Sequence, residues 1–281
     1  MRAYFEGWYV KQQSEDSVIA FIPALHTTPD GQKAASLQIV TPGASYCVPY
    51  PDMELGAGRL SLRIGENTFT REGCTLCAHA KGVDLEGRLS FQSVTPPRYD
   101  IMGPFRFFPR MQCRHTVISM AHRVNGGLTL NGRAYRFCSA PGYIEGDRGV
   151  SFPRRYVWTQ CSFEGGSVML SVAHIPYLGL GFTGCIAFVY LHGREYRLAT
   201  YLGARAEAVD NHAVVLKQGR LCLTARLLRA QDAPLQAPQG GVMRRVIRES
   251  AACRVFYRLT EDGHERFSLV SDQASFEGAW D

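Results

Sequence analysis

The 281-residue sequence predicts an essentially all-β protein, a sandwich or a barrel. Short segments alternate apolar and polar side chains, the two-residue period of a half-buried strand. Turn signals separate these segments, among them Pro29-Asp30-Gly31, Asn125-Gly126-Gly127, Asn131-Gly132, Gly165-Gly166 and Asp262-Gly263. No long amphipathic helix and no repeat of about 20–50 residues breaks the pattern.

In chain order the strand segments are SLQIVT (36–41), GRLSLRIG (58–65), NTFTRE (67–72), GRLSFQSV (87–94), HTVISMAHRV (115–124) and GLTLNGRAYRF (127–137). YVWTQCSF (156–163), SVMLSVAHI (167–175), CIAFVYL (185–191), EYRLATYL (195–202) and AVVLKQ (213–218) follow. RLCLTARLL (220–228), CRVFYRLT (253–260) and ERFSLVS (265–271) complete the set. Val242–Ala252 is the best helical candidate, and it equally suits a strand. Residues 93–104 and 229–241 are rich in proline and read as domain joints or as long loops over a pocket mouth. A division into lobes 1–138 and 139–281 is expected, or one continuous domain. The ends of the chain echo each other, Phe5-Glu6-Gly7-Trp8 against Phe276-Glu277-Gly278-Ala279-Trp280, which would suit first and last strands that meet to close a barrel.

Charged residues are 20% and hydrophobic ones 46%, which excludes a disordered chain. The net charge of +6 is carried by arginine, since lysine occurs only at Lys11, Lys33, Lys81 and Lys217. The arginines group at Arg106, Arg110 and Arg114, at Arg154 and Arg155, and at Arg244, Arg245 and Arg248. Such groups suit phosphate or anionic lipid, and no basic run of nucleic-acid type is present. The nine cysteines are scattered through apolar stretches, and the first residues lack the apolar core of a secretory signal. Both features predict reduced thiols in a cytoplasmic protein.

The most informative stretch is GYIEGDRGVSFPRRYVWTQCSF, residues 142–163. In one strand Tyr143, Glu145 and Asp147 share a face, and in the next Tyr156, Trp158, Gln160 and Ser162 do. An enclosed pocket that needs a proton donor and aromatic walls would use such a set. The alternative is a surface hairpin whose acids pair with Arg148, Arg154 and Arg155. Other motifs carry less. Gly179–Gly184 fits G-x-G-x-x-G, but CIAFVYL follows where a dinucleotide fold needs a helix, so a glycine-rich hairpin is expected. Cys74, Cys77 and His79 lack a second ligand pair for zinc, and Cys113, His115 and His122 form no complete metal set either. The charge-free span 175–191 reads as two buried strands rather than a membrane helix.

These residues together resemble the tocopherol cyclase family. The similarity begins at Tyr4-Phe5-Glu6-Gly7-Trp8-Tyr9-Val10-Lys11 and continues through Cys113–His122. It is densest in residues 142–163, and further blocks stand at 175–184, 198–204 and 241–250. Two positions depart from the family pattern: Arg148 stands where the family has Trp, and Ser162 where it has Asn. A cation and a small hydroxyl there would make the site more polar.

The resemblance implies lipocalin-like β-barrel lobes that enclose an apolar cavity. It also implies cyclisation of a prenylated quinol to a chromanol, without cofactor or metal. That reaction protonates a trisubstituted alkene, shelters a tertiary cation and lets the phenol oxygen close the ring. Asp147, tuned by Glu145 about 7 Å along the strand, is the expected donor. Trp8, Tyr9 and Trp158 would face the cation. Glu6, Tyr143, Arg148, Gln160, His115 and His122 would complete the substrate site. A lipophilic small molecule is the expected partner, nucleic acid is not, and peripheral membrane contact would run through Arg106, Arg110 and Arg114. Two other activities fit the same scaffold: a hydratase of isoprenoid alkenes, and a carrier of a lipophilic ligand. The direction in which Glu145 and Asp147 point separates enzyme from carrier, and product mass separates cyclase from hydratase.

Overall fold

The computed structural model describes residues 3–109, 111–177, 179–230, 233–239 and 242–280, with the side chains of 233–239 and 242–250 left aside. The first eleven strands are β1 (Tyr4–Gln13), β2 (Val18–Thr27), β3 (Lys33–Thr41), β4 (Ala44–Tyr50), β5 (Glu54–Leu55), β6 (Ser61–Ile64), β7 (Asn67–Thr70), β8 (Gly73–Ala80), β9 (Val83–Thr95), β10 (Cys113–Leu130) and β11 (Arg133–Gly149). They form one antiparallel sheet in the order β4-β3-β2-β1-β11-β10-β9-β8-β7-β6-β5. The rest are β12 (Tyr156–Phe163), β13 (Gly166–Tyr177), β14 (Leu180–Leu191), β15 (Arg194–Ala199), β16 (Arg205–Val209), β17 (Ala213–Gln218), β18 (Leu221–Arg229), β19 (Ala233–Gln239), β20 (Val242–Glu261) and β21 (His264–Ala279). These form the second sheet, β15-β14-β13-β12-β21-β20-β18-β17-β16, with β19 paired to β20. Among the described residues the only helical turns are 3-10, at Gly103–Phe107 and Thr200–Leu202. The expected all-β, lipocalin-like architecture is therefore the one observed.

Both lobes are built alike: the first strand pairs with the last, β1 with β11 and β12 with β21. The echo between the chain ends does not mark strands that pair with each other. Phe5-Glu6-Gly7 lies in β1 and Phe276-Glu277-Gly278 in β21, but each strand closes its own lobe. The lobes divide between Gly149 and Tyr156. The expected division at 138/139 falls inside β11, whose first half pairs with β10 and whose second half also pairs with β1. The helical candidate at 242–252 lies within β20, where the backbone of 242–249 pairs with β19 and Ser250 pairs with Phe276 of β21. The proline-rich span 93–104 belongs to one lobe and its neighbouring loop, not to a joint. Gly179 and its neighbours turn a hairpin, with Tyr177 opposite Leu180.

Burial follows the alternation. Along β9, Val83, Leu85, Leu89 and Phe91 are buried while Asp84, Glu86, Arg88 and Ser90 are not. β12 departs from it, and residues 156–162 are buried on both faces. Val157 and Cys161 enter the core of the second lobe. Tyr156 and Trp158 enter a third apolar layer between the lobes, with Tyr9, Val117, Met120, Tyr143 and Phe188. The strands nearest that layer carry the informative residues because they must satisfy two interiors at once.

Candidate active site

A cavity of about 180 Å³ opens between the lobes. Its wall takes Phe5, Gly7 and Tyr9 from β1, His115 from β10, Glu145 and Asp147 from β11, Trp158 from β12 and Glu277 from β21. Register explains the convergence. Gly7 stands opposite Asp147 and Tyr9 opposite Glu145, His115 opposite Asp147, and Trp158 opposite Glu277. Gly7 matters here because it leaves open the space beside Asp147 that any larger residue would occupy; a β-carbon would lie 3.3 Å from that of Ala24.

The polar centre is a row of charge-assisted contacts. His115 Nδ1 lies 3.1 Å from Asp147 Oδ1, and its Nε2 lies 3.3 Å from Glu145 Oε2. The second contact is at ion-pair distance without hydrogen-bond alignment. Tyr143 donates its hydroxyl to Glu145 Oε2 at 2.6 Å, and the Trp158 indole N–H donates to the same oxygen at 3.3 Å. The Cys113 thiol donates to Asp147 Oδ1 at 3.5 Å. Burial by itself pushes the His115 imidazole down, but Asp147 and Glu145 together override it and hold it well above its ordinary value. Burial, reinforced by Glu145, keeps the Tyr143 phenol protonated. Burial and Asp147 do the same for the Cys113 thiol.

Glu277 is the remaining carboxyl group, and sequence reasoning missed it. It is 6% exposed, lines the cavity, and its Oε1 has no hydrogen-bond partner among the described residues. Burial raises its carboxyl well above the carboxylate range, and the charges of Asp147 and Glu145 add to the shift. The cavity thus gathers three acidic side chains, Glu145, Asp147 and Glu277, around His115, with the Glu277 carboxyl pushed toward its protonated form.

The aromatic wall has two groups of rings. Tyr9 meets Trp158 edge-on at 5.3 Å, Phe5 meets Phe152 at 5.3 Å, and Phe152 meets Tyr156 at 6.0 Å. Trp8 projects into the core of the first lobe, gives its indole N–H to Arg59 O at 2.9 Å, and borders the cavity beside Gly7.

Of the site residues expected from sequence, the structure gathers Glu145, Asp147, His115, Trp8, Tyr9 and Trp158 around the cavity, with Tyr143 buried behind Glu145. Four others do not line it. Glu6 accepts a hydrogen bond from Tyr4 on the other face of β1. Arg148 is exposed, because one step along a strand from Asp147 reverses the side chain. Gln160 donates to Ser162 Oγ at 3.0 Å, deep along β12. His122 packs at a tilt against Phe91 and contacts Ser119 Oγ, and burial pushes its imidazole down to about 3. Ser162 is buried too, so neither departure from the family pattern makes the cavity more polar.

His115, Glu145 and Asp147 bring three potential metal ligand atoms within 4.8 Å of one another. Their partners are already spoken for. Both His115 nitrogens face carboxylates, and Glu145 Oε2 takes two donors besides, which suits protons better than a cation.

A family model described as tocopherol cyclase-like matches residues 89–194, which include both the 113–122 and 142–163 blocks. The resemblance drawn from the sequence is thereby supported. Among solved structures, one of CghA with Sch210972 aligns over 99% of this chain and 89% of its own, with TM-score 0.63 and 11% identity. A putative AttH from Nitrosomonas europaea aligns over 99% and 92%, with TM-score 0.55 and 11% identity. Kievitone hydratase from Nectria haematococca aligns over 99% and 89%, with TM-score 0.55 and 8% identity. At such identities these likenesses establish the fold alone. No curated protein matches the chain by sequence.

Proposed function

We propose that this chain is an enzyme that protonates an isoprenoid alkene and closes a neighbouring phenol on the resulting cation, turning a prenylated quinol into a chromanol. The observation that carries this reading is Glu277: a buried carboxyl group with an unpartnered oxygen in an aromatic cavity, facing two other acids. Alkene protonation needs an acid that is still protonated at neutral pH, and burial among like charges supplies one.

Glu277 gives its proton to the less substituted alkene carbon, leaving a carboxylate and a tertiary cation. Glu145, Asp147 and His115 stand on the cavity wall beside that cation. Tyr9 and Trp158 add their π faces, worth roughly 0.5–2 kcal/mol each. The phenol oxygen then bonds to the cation, and its proton restores Glu277. Atoms balance with no oxidant and no water, so the product is an isomer of the substrate. The sequence alone suggested Asp147 as donor; Glu277 suits the role better, because Asp147 is held by His115 and Cys113.

A carrier would turn Glu145 and Asp147 outward onto arginines, whereas both face the cavity. The hydratase reading drew on Arg148 and Ser162 to admit water, and neither lines the cavity. Incubation with a panel of prenylated quinols, followed by mass analysis and chiral chromatography, tests the proposal. Chromanol of a single hand from the intact protein supports it, and hydrated alcohol or unchanged quinol across the panel counts against it.

A further inference from the structure

The two most exposed large apolar residues among those described are Leu180, 80% exposed, and Phe107, 72% exposed. Both stand at one place. Phe105 lines the cavity, and its ring lies 5.2 Å from Phe108 and 5.9 Å from Phe182. Phe108 in turn lies 5.5 Å from Tyr177. One aromatic path therefore leads from the cavity wall to the tip of the β13–β14 hairpin and to the 3-10 turn at Gly103–Phe107.

The sequence segments that supply this region and the neighbouring cavity wall are one-sided in charge. Segments 101–114, 148–163 and 175–191 contain no Asp or Glu. They carry Arg106, Arg110, Arg114, Arg148, Arg154 and Arg155, a positive charge equal to the +6 of the whole chain. The rest of the sequence is neutral on balance. Arg110 lies outside the described residues. Arg106 sits 4.5 Å over the Phe107 ring, and Arg114 donates to Phe108 O at 2.9 Å, so the cations flank the exposed rings.

We propose that the cavity mouth docks on an anionic lipid surface. Leu180 and Phe107 enter the interface, the arginines meet the head groups, and an apolar ligand passes from the bilayer into the cavity without crossing water. This docking rests on the apolar cavity and its rim, not on the chemistry proposed inside it.

Co-sedimentation of the full chain with vesicles of phosphatidylcholine, with and without phosphatidylserine, tests the proposal. Binding to the anionic vesicles is expected at low salt, and its loss at high salt. Leu180→Asp and Phe107→Asp should each weaken it by at least about tenfold. Arg106→Glu should weaken it by more than about fivefold. Val270→Asp, at an apolar site on β21 that is 47% exposed, should leave it unchanged. Leu180→Trp gives a second readout, a blue shift of its emission on anionic vesicles. The proposal is overturned by any of three results: no sedimentation with anionic vesicles at low salt, variants that bind as the parent does, or a dimer in light scattering that Phe107→Asp converts to monomer. The last would mean that a second copy covers the patch.

Discussion

Replacing Glu277 by Gln keeps the shape of the side chain and removes its acid. General acid catalysis by one placed group contributes about 10²–10⁴-fold, so turnover should fall by at least that much while ligand binding survives. The same substitution has a thermodynamic signature that does not depend on knowing the substrate. The unfolded chain releases the Glu277 proton above about pH 4.3. The folded protein retains it, because burial and the Asp147 and Glu145 charges raise the carboxyl well above its usual range. The contribution to stability is therefore fully present in acid. It is lost at about 1.4 kcal/mol per pH unit as pH rises, until the folded carboxyl itself ionises. Glu277→Gln removes one proton from that slope. Urea unfolding of both proteins at pH 5, 6, 7 and 8 should give curves that converge in acid and diverge above it, the variant losing less stability with pH. Parallel pH dependences, or a variant with full activity, would refute the assignment.

Other outcomes follow from the same geometry. His115→Gln removes the ring that sits between Glu145 and Asp147 and should cost roughly 3–5 kcal/mol, measured by denaturant unfolding. The raised His115 imidazole makes its own stabilisation fully present below about pH 6.5 and lost as pH rises through the folded value, so the parent should melt at lower temperature in mild alkali. Trp158→Phe keeps the ring and loses the indole N–H to Glu145, and turnover should drop about tenfold with little change in melting temperature. Arg148→Trp, at an exposed position off the cavity, should change stability by no more than about 0.5 kcal/mol and leave the product unaltered in chromatography.

Much of this site was legible in the sequence, for a local reason. The period of a strand fixes which neighbours share a face, so it aligns Tyr143, Glu145 and Asp147 on one side, and Tyr156 and Trp158 on one side of the next strand. The same rule sends Arg148 away from Asp147, although the resemblance had drawn it into the site. Glu277 was hidden because its meaning depends on pairing. Nothing local in the sequence says that β21 lies beside β12 and puts Glu277 opposite Trp158, across a separation of more than a hundred residues. The repeated Phe-Glu-Gly at the chain ends was the available signal, since both copies sit on the strand that closes a lobe. His115 stood in the sequence as part of an incomplete metal set and, through the resemblance, in the expected substrate site, without a stated partner. Its role emerges once β10 and β11 place it between two acids. Residues 242–252 were ambiguous because apolar and basic residues at mixed spacing suit both periods.

The central claim is that a protein carboxyl delivers a proton to alkene carbon and that the phenol, not water, captures the cation. Turnover of a prenylated quinol in D2O with the purified protein tests it directly. The account predicts a chromanol isomeric with the substrate that carries one non-exchangeable deuterium at the carbon protonated in the first step, and its absence with Glu277→Gln. Chromanol without carbon-bound deuterium, or an alcohol heavier by one D2O, would contradict it.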